Sequence, residues 1–250
     1  MVEADFQKII SELVTISNQD ESLVQLRSQI SANQYLRLYR MVNENVKPKG
    51  AVLDWGSGNG HFSYFLGRSG YQTSSYGFGD IPEVCKLLEP NAYEYKKGDV
   101  DNPILLPYEN ETFDAVVSVG VLEHVRETGG NESASLKEIH RILKPNGVFI
   151  CFHLPNKYSW IEMMLRLIGR WSHQYRFTAS QIQALSANTN YEMVTVKRYA
   201  ILPRNIWWWG VPKKLGKSKK FANFYDRLDE MLSILFSPIC QNYAFVAKKL

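Results

Sequence analysis

Asp54-x-Gly56-x-Gly58-x-Gly60 has residue types and spacing suited to holding a ligand. An apolar run, Ala51 to Leu53, ends in an acid. Glycines follow at alternate positions, and His61, Phe62, Phe65 and Leu66 then fall at helical spacing. Strand, tight turn and helix in that order bring backbone N–H groups against a nucleotide, and glycine permits the close approach. The spacing is G-x-G-x-G, not the G-x-G-x-x-G of dinucleotide folds. A second acid, Asp80, follows the candidate strand Gln72 to Phe78, 26 residues after Asp54. A carboxylate at such a strand end can accept both hydroxyls of a ribose; the same residue would also serve to cap a helix that Pro82 begins. Three histidines, His124, His153 and His173, are candidates for a proton acceptor, because imidazole titrates near neutrality. His153 leads, since it lies at the end of a strand where a crevice is expected. His140, between core positions of a helix, reads as structural.

These residues need a scaffold, and 250 residues with 45% hydrophobic and 22% charged content suffice for a large α/β domain with a buried core. The net charge of +4 is uneven. From Arg204 onward nine Lys/Arg stand against three Asp/Glu (+6), and the first 203 residues carry 20 against 22 (−2). A near-neutral body argues against a surface built for nucleic acid. Cys85, Cys151 and Cys240 are far apart and form no paired motif, so no metal site is expected and a reducing, cytoplasmic setting fits. The first residues lack the pattern of a secretory signal, and no apolar run reaches membrane-spanning length.

Residues 1–46 read as two helices, the first with Phe6, Ile9, Ile10, Leu13, Val14 and Ile16 inward, the second running from near Asp20 to Val42. They serve either as a lid, with Tyr35, Tyr39 and Arg40 as possible pocket residues, or as packing against the sheet. Further strands are predicted over 92–97, 111–119, 148–154, 191–199 and 242–248, with helices over 131–144 and 179–187. Asp114 reads as a structural residue at a strand start. The alternation predicts an α/β fold with a doubly wound, seven-stranded, mostly parallel sheet and a ligand at the carboxyl ends of strands one and four. The expected divisions are a helical lid (1–47), a core (48–200), an aromatic and basic insert (201–240) and a final core strand (241–250).

Asp54-x-Gly56-x-Gly58-x-Gly60 resembles motif I of the class I S-adenosylmethionine-dependent methyltransferases. "FDAVVSVGVLEHV" (113–125) and "LKEIHRILKPNGVFIC" (136–151) resemble that family's fourth strand and the segment leading into its fifth. "His-x-Tyr-Arg-Phe-Thr" (173–178) resembles the type 11/12-like, small-molecule and quinone branch. The resemblance implies a Rossmann-like methyltransferase fold and S-adenosyl-L-methionine as cofactor. It implies cofactor contacts at Asp54, Gly56, Gly58, Gly60, Asp80, Asp99, Val100 and Ser118, with Asp99 at the adenine amino group. Leu154-Pro155-Asn156-Lys157 stands where amide- and ring-nitrogen methylating enzymes carry Asn/Asp-Pro-Pro-Tyr, which disfavours those acceptors; His153 and Asn156 are expected to face the crevice.

The insert holds Trp207-Trp208-Trp209, five lysines within 213–220 and an apolar-striped helix. It is read as an aromatic cover over the substrate pocket with a solvated lysine loop, or as an interfacial anchor giving peripheral membrane contact. The expected activity is methyl transfer to oxygen of a small-molecule, glycan or lipid-linked acceptor. The alternatives are an RNA methyltransferase that uses the basic insert, although nucleic acid is the disfavoured partner, and a cofactor-binding protein without transferase activity.

Overall fold

Seven strands make one twisted sheet at the centre of the computed structural model, which describes residues 3–207 and 213–250. They are β1 (Ala51–Trp55), β2 (Gln72–Gly77), β3 (Tyr93–Lys97), β4 (Phe113–Val119), β5 (Leu143–Pro155), β6 (Tyr191–Tyr199) and β7 (Asn242–Lys249). Their order is β3-β2-β1-β4-β5-β7-β6. β1 to β5 pair in parallel, and β7 runs antiparallel to both of its neighbours, β5 and β6. The order reverses between β1 and β4, so a crevice opens at their carboxyl ends, as doubly wound sheets require.

The helices are α1 (Glu3–Ile16), α2 (Gln29–Asn33), α3 (Leu36–Asn45), α4 (His61–Arg68), α5 (Glu132–Ile142), α6 (Trp160–Leu167), α7 (Ala179–Ala187), α8 (Lys213–Gly216) and α9 (Lys219–Leu235). Adjacent residues of the central strands face opposite sides, because side chains alternate along a strand. Val52, Val117 and Ile150 are buried with Phe6, Leu13, Tyr39 and Phe65 of α1, α3 and α4. Leu53, Val116 and Phe149 are buried with Leu136 and Ile139 of α5 and Ile182 of α7 on the other face. Two apolar layers sandwich the sheet, and Tyr39 stacks on Phe65 with ring centroids 3.5 Å apart. Asp114 opens β4 by accepting the Ala51 N–H and pairing with Lys47 and Lys144, a structural role.

Two local expectations are corrected. The single helix predicted from Asp20 to Val42 is broken into a 3-10 segment (Glu21–Leu26), α2 and α3. Asp20 caps the first by accepting the Ser22 N–H, and Ser28 caps α2 by accepting the Ser31 N–H. Such side chains offer the backbone a local partner and restart the helix. Asn156 does not face the crevice. It is fully buried, and its Nδ2 donates to the carbonyls of Pro238 and Cys240, fastening the end of β5 to the segment before β7.

Between β6 and β7, α9 packs on α2 around Ile30, Ala222 and Tyr225, with Trp207 against Phe221 and Tyr225. The buried Arg204 guanidinium binds Asp226 and Asp229 and donates to the Ile30 carbonyl, tying insert to N-terminal helices. Trp208 and Trp209 lie outside the described residues. Among the described residues, no helix is long and apolar enough to cross a membrane.

Candidate active site

β1 ends in Asp54 and Trp55, and the chain then turns through Gly56, Gly58 and Gly60, all with positive φ (+77°, +50° and +78°). Left-handed backbone of this kind favours glycine. At Gly56 a Cβ would also come 2.5 Å from Val121 Cγ2, and at Gly60 2.5 Å from Cys85 Sγ. The N–H groups of Gly56 and Ser57 both donate to the Tyr76 carbonyl at 2.9 Å, which pins the start of the loop to β2. Below the loop Asp54 is buried, and its Oδ2 accepts from Ser63 Oγ of α4 at 2.5 Å. Burial pushes the Asp54 carboxyl up to about 7, against the lowering effect of Ser63.

The loop forms one wall of a cavity of about 270 Å³ at the carboxyl ends of β1, β2 and β4. Gly56 and Gly58 share its lining with Tyr76, Gly77, Tyr95, Gly120 and His124. Apolar walls with a few convergent polar groups fit a nucleoside-sized ligand. Asp80 lines this cavity too; its carboxylate is solvent-facing and pairs with Lys97 Nζ at 2.9 Å, which holds its pKa below the usual carboxylate range. It does not cap the following 3-10 segment, whose N-cap is Pro82.

The other predicted contacts stand further back. Asp54, Gly60 and Ser118 lie behind the lining. Asp99 is exposed and accepts the Asp101 N–H, and Val100 is exposed, while Pro103 reaches the cavity. Tyr76, Tyr95 and Gly120 were not singled out from the sequence. An aromatic inside a strand pattern looks like any core residue, and only the carboxyl-end position of Tyr76 hinted at more. A larger, polar groove of about 560 Å³ between α3 and α9 shares no residue with this cavity.

The three histidines divide into two groups. His153 sits in an irregularity of β5 with φ +64°, beside Tyr35 and Tyr199. The Tyr199 hydroxyl accepts its N–H at 2.9 Å and lies 2.9 Å from its Nδ1, which Asn242 Nδ2 also approaches at 3.4 Å. With two donors at Nδ1 the ring proton resides on Nε2, so the basic nitrogen points into protein. Burial lowers the His153 pKa to about 3. His61, not singled out from the sequence as chemical, lies under Tyr35 with ring centroids 4.3 Å apart. Its Nδ1 is 2.7 Å from Asn59 Oδ1, and burial lowers its pKa to about 4.

His124 does line the cavity. His173, from the loop after α6, brings its ring to 5.6 Å from His124. The Nδ1 of His124 meets Glu127 Oε1 at 3.0 Å, and that of His173 meets Glu162 Oε1 at 2.7 Å. Close to both lies Glu123, 2% exposed, whose Oε2 has no hydrogen-bond partner. In the sequence the adjoining pair Glu123-His124 is the only signal of this cluster.

A doubly wound sheet with an acid-led glycine loop over its switch point defines the class I S-adenosylmethionine-dependent methyltransferase fold, as the sequence resemblance implied. Residues 53–151 match the family model described as a methyltransferase domain. An uncharacterized protein of Methanocaldococcus jannaschii is 28% identical over 155 residues, 60% of this chain and 56% of that protein. The cyclopropane-fatty-acyl-phospholipid synthase of Escherichia coli strain K12 is 32% identical over 53% of this chain and 32% of that protein. The chain thus spans about half or less of these curated relatives. In fold it is similar to a SAM-dependent methyltransferase from Archaeoglobus fulgidus, with a TM-score of 0.56 at 18% identity, over 85% of this chain and 91% of that one.

Proposed function

We propose that this chain binds S-adenosyl-L-methionine in the glycine-loop cavity and methylates an oxygen of an acceptor that has an apolar or lipid-linked part. The observation that carries the reading is the cavity itself, where Gly56, Ser57 and Gly58 of the glycine loop share the lining with Tyr76, Tyr95 and Gly120 at the sheet's switch point. The residues fit the cofactor, because the space beside Gly58 is open, with no atom closer to a Cβ there than the Gly56 carbonyl at 3.9 Å, and Tyr76, Phe78 and Tyr95 supply aromatic lining. When bound, S-adenosyl-L-methionine supplies a methyl carbon activated by a sulfonium.

Gly56 and Gly58 give backbone contact, and Asp80 takes the ribose hydroxyls at the mouth in exchange for part of its pairing with Lys97. Asp54, Gly60 and Ser118 position the loop and the end of β4 from beneath. Asp99 and Val100 keep their proposed place near the adenine end as the flank that leads to Pro103. Residues 1–47 act as a lid: Tyr35 covers His61 and His153, and Asn59 of the loop donates to the Ser22 carbonyl. The hydroxyl proton of the acceptor leaves on the side of His124 and His173, because the basic nitrogen of His153 is turned inward.

Two facts support an apolar acceptor. Met163, Leu167, Ile168 and Trp171 on and after α6 are exposed, and Trp171 lies 4.7 Å from His173, ring to ring. The Escherichia coli relative carries a fatty-acyl-phospholipid in its name.

Calorimetric titration with S-adenosyl-L-methionine and its demethylated product tests the reading. Saturable binding of both is expected, and it should disappear in Gly58→Leu, whose side chain fills the cavity. A wild-type chain that binds neither would overturn the cofactor reading. Radiolabelled methyl recovered in the organic phase of a cell extract supports the apolar acceptor; label confined to the aqueous phase removes it.

A further inference from the structure

Glu123, His124 and His173 come from two separate stretches of chain, yet one potential ligand atom of each lies within 4.8 Å of those of the other two. Three features make this more than proximity. Glu123 is buried, and its Oε2 has no partner, although a buried carboxylate oxygen is costly to leave unmatched. Both histidines have Nδ1 held by a carboxylate, Glu127 for His124 and Glu162 for His173, which leaves Nε2 of each as the nitrogen available to a ligand. Metal-bound histidines are commonly oriented by such outer carboxylates, which fix the tautomer and raise the basicity of the ligating nitrogen. Glu162 also accepts the His173 N–H at 2.8 Å, so the loop that carries His173 is fastened to α6.

We propose that Glu123, His124 and His173 form a binding site for a divalent first-row transition cation at the edge of the glycine-loop cavity. Two imidazoles and one carboxylate favour manganese, iron, cobalt, nickel or zinc over magnesium or calcium, which prefer all-oxygen shells. Three protein ligands leave coordination positions open. The cluster adjoins the cavity: His124 lines it, and a Cβ built on Gly120, another lining residue, would lie 3.7 Å from Glu123 Oε1. An oxygen of the acceptor could take one open position and be held there, a consequence that rests on the methyltransferase reading above. On this view the two histidines act through the cation rather than as a free base. The cysteine spacing, which argued against a metal, does not bear on a ligand set without thiolates.

The test is cobalt titration of the untagged, full-length chain after chelator treatment, followed by its visible ligand-field absorption, with product binding measured in parallel by calorimetry. Wild type should saturate at about one cobalt per chain, in the low-coordinate spectral range expected of a site with three protein ligands. His173→Gln and Glu123→Gln should each weaken cobalt binding at least about tenfold, and Glu162→Gln, one shell out, by about 10–100-fold. His173→Gln, whose residue is outside the cofactor cavity, should retain product affinity, which also shows that it folds. No saturable cobalt binding by wild type, or binding undiminished in both His173→Gln and Glu123→Gln, would overturn the site. Product binding without cobalt binding defeats this inference alone. Cobalt binding at these residues without product binding keeps the cation site and defeats the cofactor reading.

Discussion

Ser63 Oγ donates to Asp54 Oδ2 at 2.5 Å, linking the first turn of α4 to the acid that leads the glycine loop. Both residues are buried, so this contact supplies polar satisfaction that water cannot. Ser63→Ala should therefore lower stability by about 1–3 kcal/mol, the cost of leaving a buried carboxylate short of a donor. Urea unfolding would measure it; a change within error would mean that Asp54 finds another partner. The variant should also weaken binding of the demethylated cofactor, since the loop rests on this pair.

Gly56→Ala combines two penalties. A non-glycine residue at φ +77° costs about 1–2 kcal/mol, and its Cβ would lie 2.5 Å from Val121 Cγ2, adding about 1–3 kcal/mol of overpacking. Adding Val121→Ala should recover much of the packing part and leave the backbone part. Melting temperatures of the single and double variants separate them; equal values would refute the clash.

His61 gives a pH dependence of defined sign. Its folded pKa is lowered to about 4 by burial, against an ordinary 6.5, so below pH 6.5 the unfolded chain takes up the proton first. The contribution of His61 to stability is thus present above pH 6.5 and is lost as pH falls toward 4, by up to about 1.4 kcal/mol per pH unit. The gap in unfolding free energy between wild type and His61→Gln should narrow or reverse across that window. A gap that does not move with pH would show that the imidazole titrates normally.

Arg204 is buried against Asp226 and Asp229, and Asp229 also accepts the N–H groups of Ile201 and Leu202. Removing one partner of such a network leaves charge uncompensated, so Arg204→Met should cost about 3–5 kcal/mol. Because the network lies away from the glycine loop, affinity for the demethylated cofactor should persist in the folded fraction. Denaturation and calorimetry on the same preparation check both parts.

The sheet and its glycine loop were legible because their signals are local. Positive-φ turns select glycine at Gly56, Gly58 and Gly60, and apolar runs such as Ala115 to Val117 announce strands buried on both faces. Where the outcome depends on a distant partner, the sequence was silent. Asn156 turned from the crevice because the carbonyls of Pro238 and Cys240, over eighty residues on, needed donors. His153 has the strand-end position expected of it, but Tyr199 and Asn242 decide which nitrogen keeps the proton. Glu123 and His173 lie fifty residues apart in sequence, and only the packing of α6 brings them together. The break at Ser28 was legible in principle, since serine is a good helix cap, but the apolar stripe through Leu26 and Ile30 masked it.

β7 fills the gap between β5 and β6, so the strand made last in the order of synthesis is an interior one. A nascent chain that has emerged only as far as α9 holds β5 with a bare edge and β6 with no neighbour to bond. Until Asn242–Lys249 arrives, that edge is a template for pairing with other chains. Maturation of this protein is therefore a race between strand insertion and self-association, and chaperone demand should concentrate in the interval after Tyr199 is made and before β7 docks.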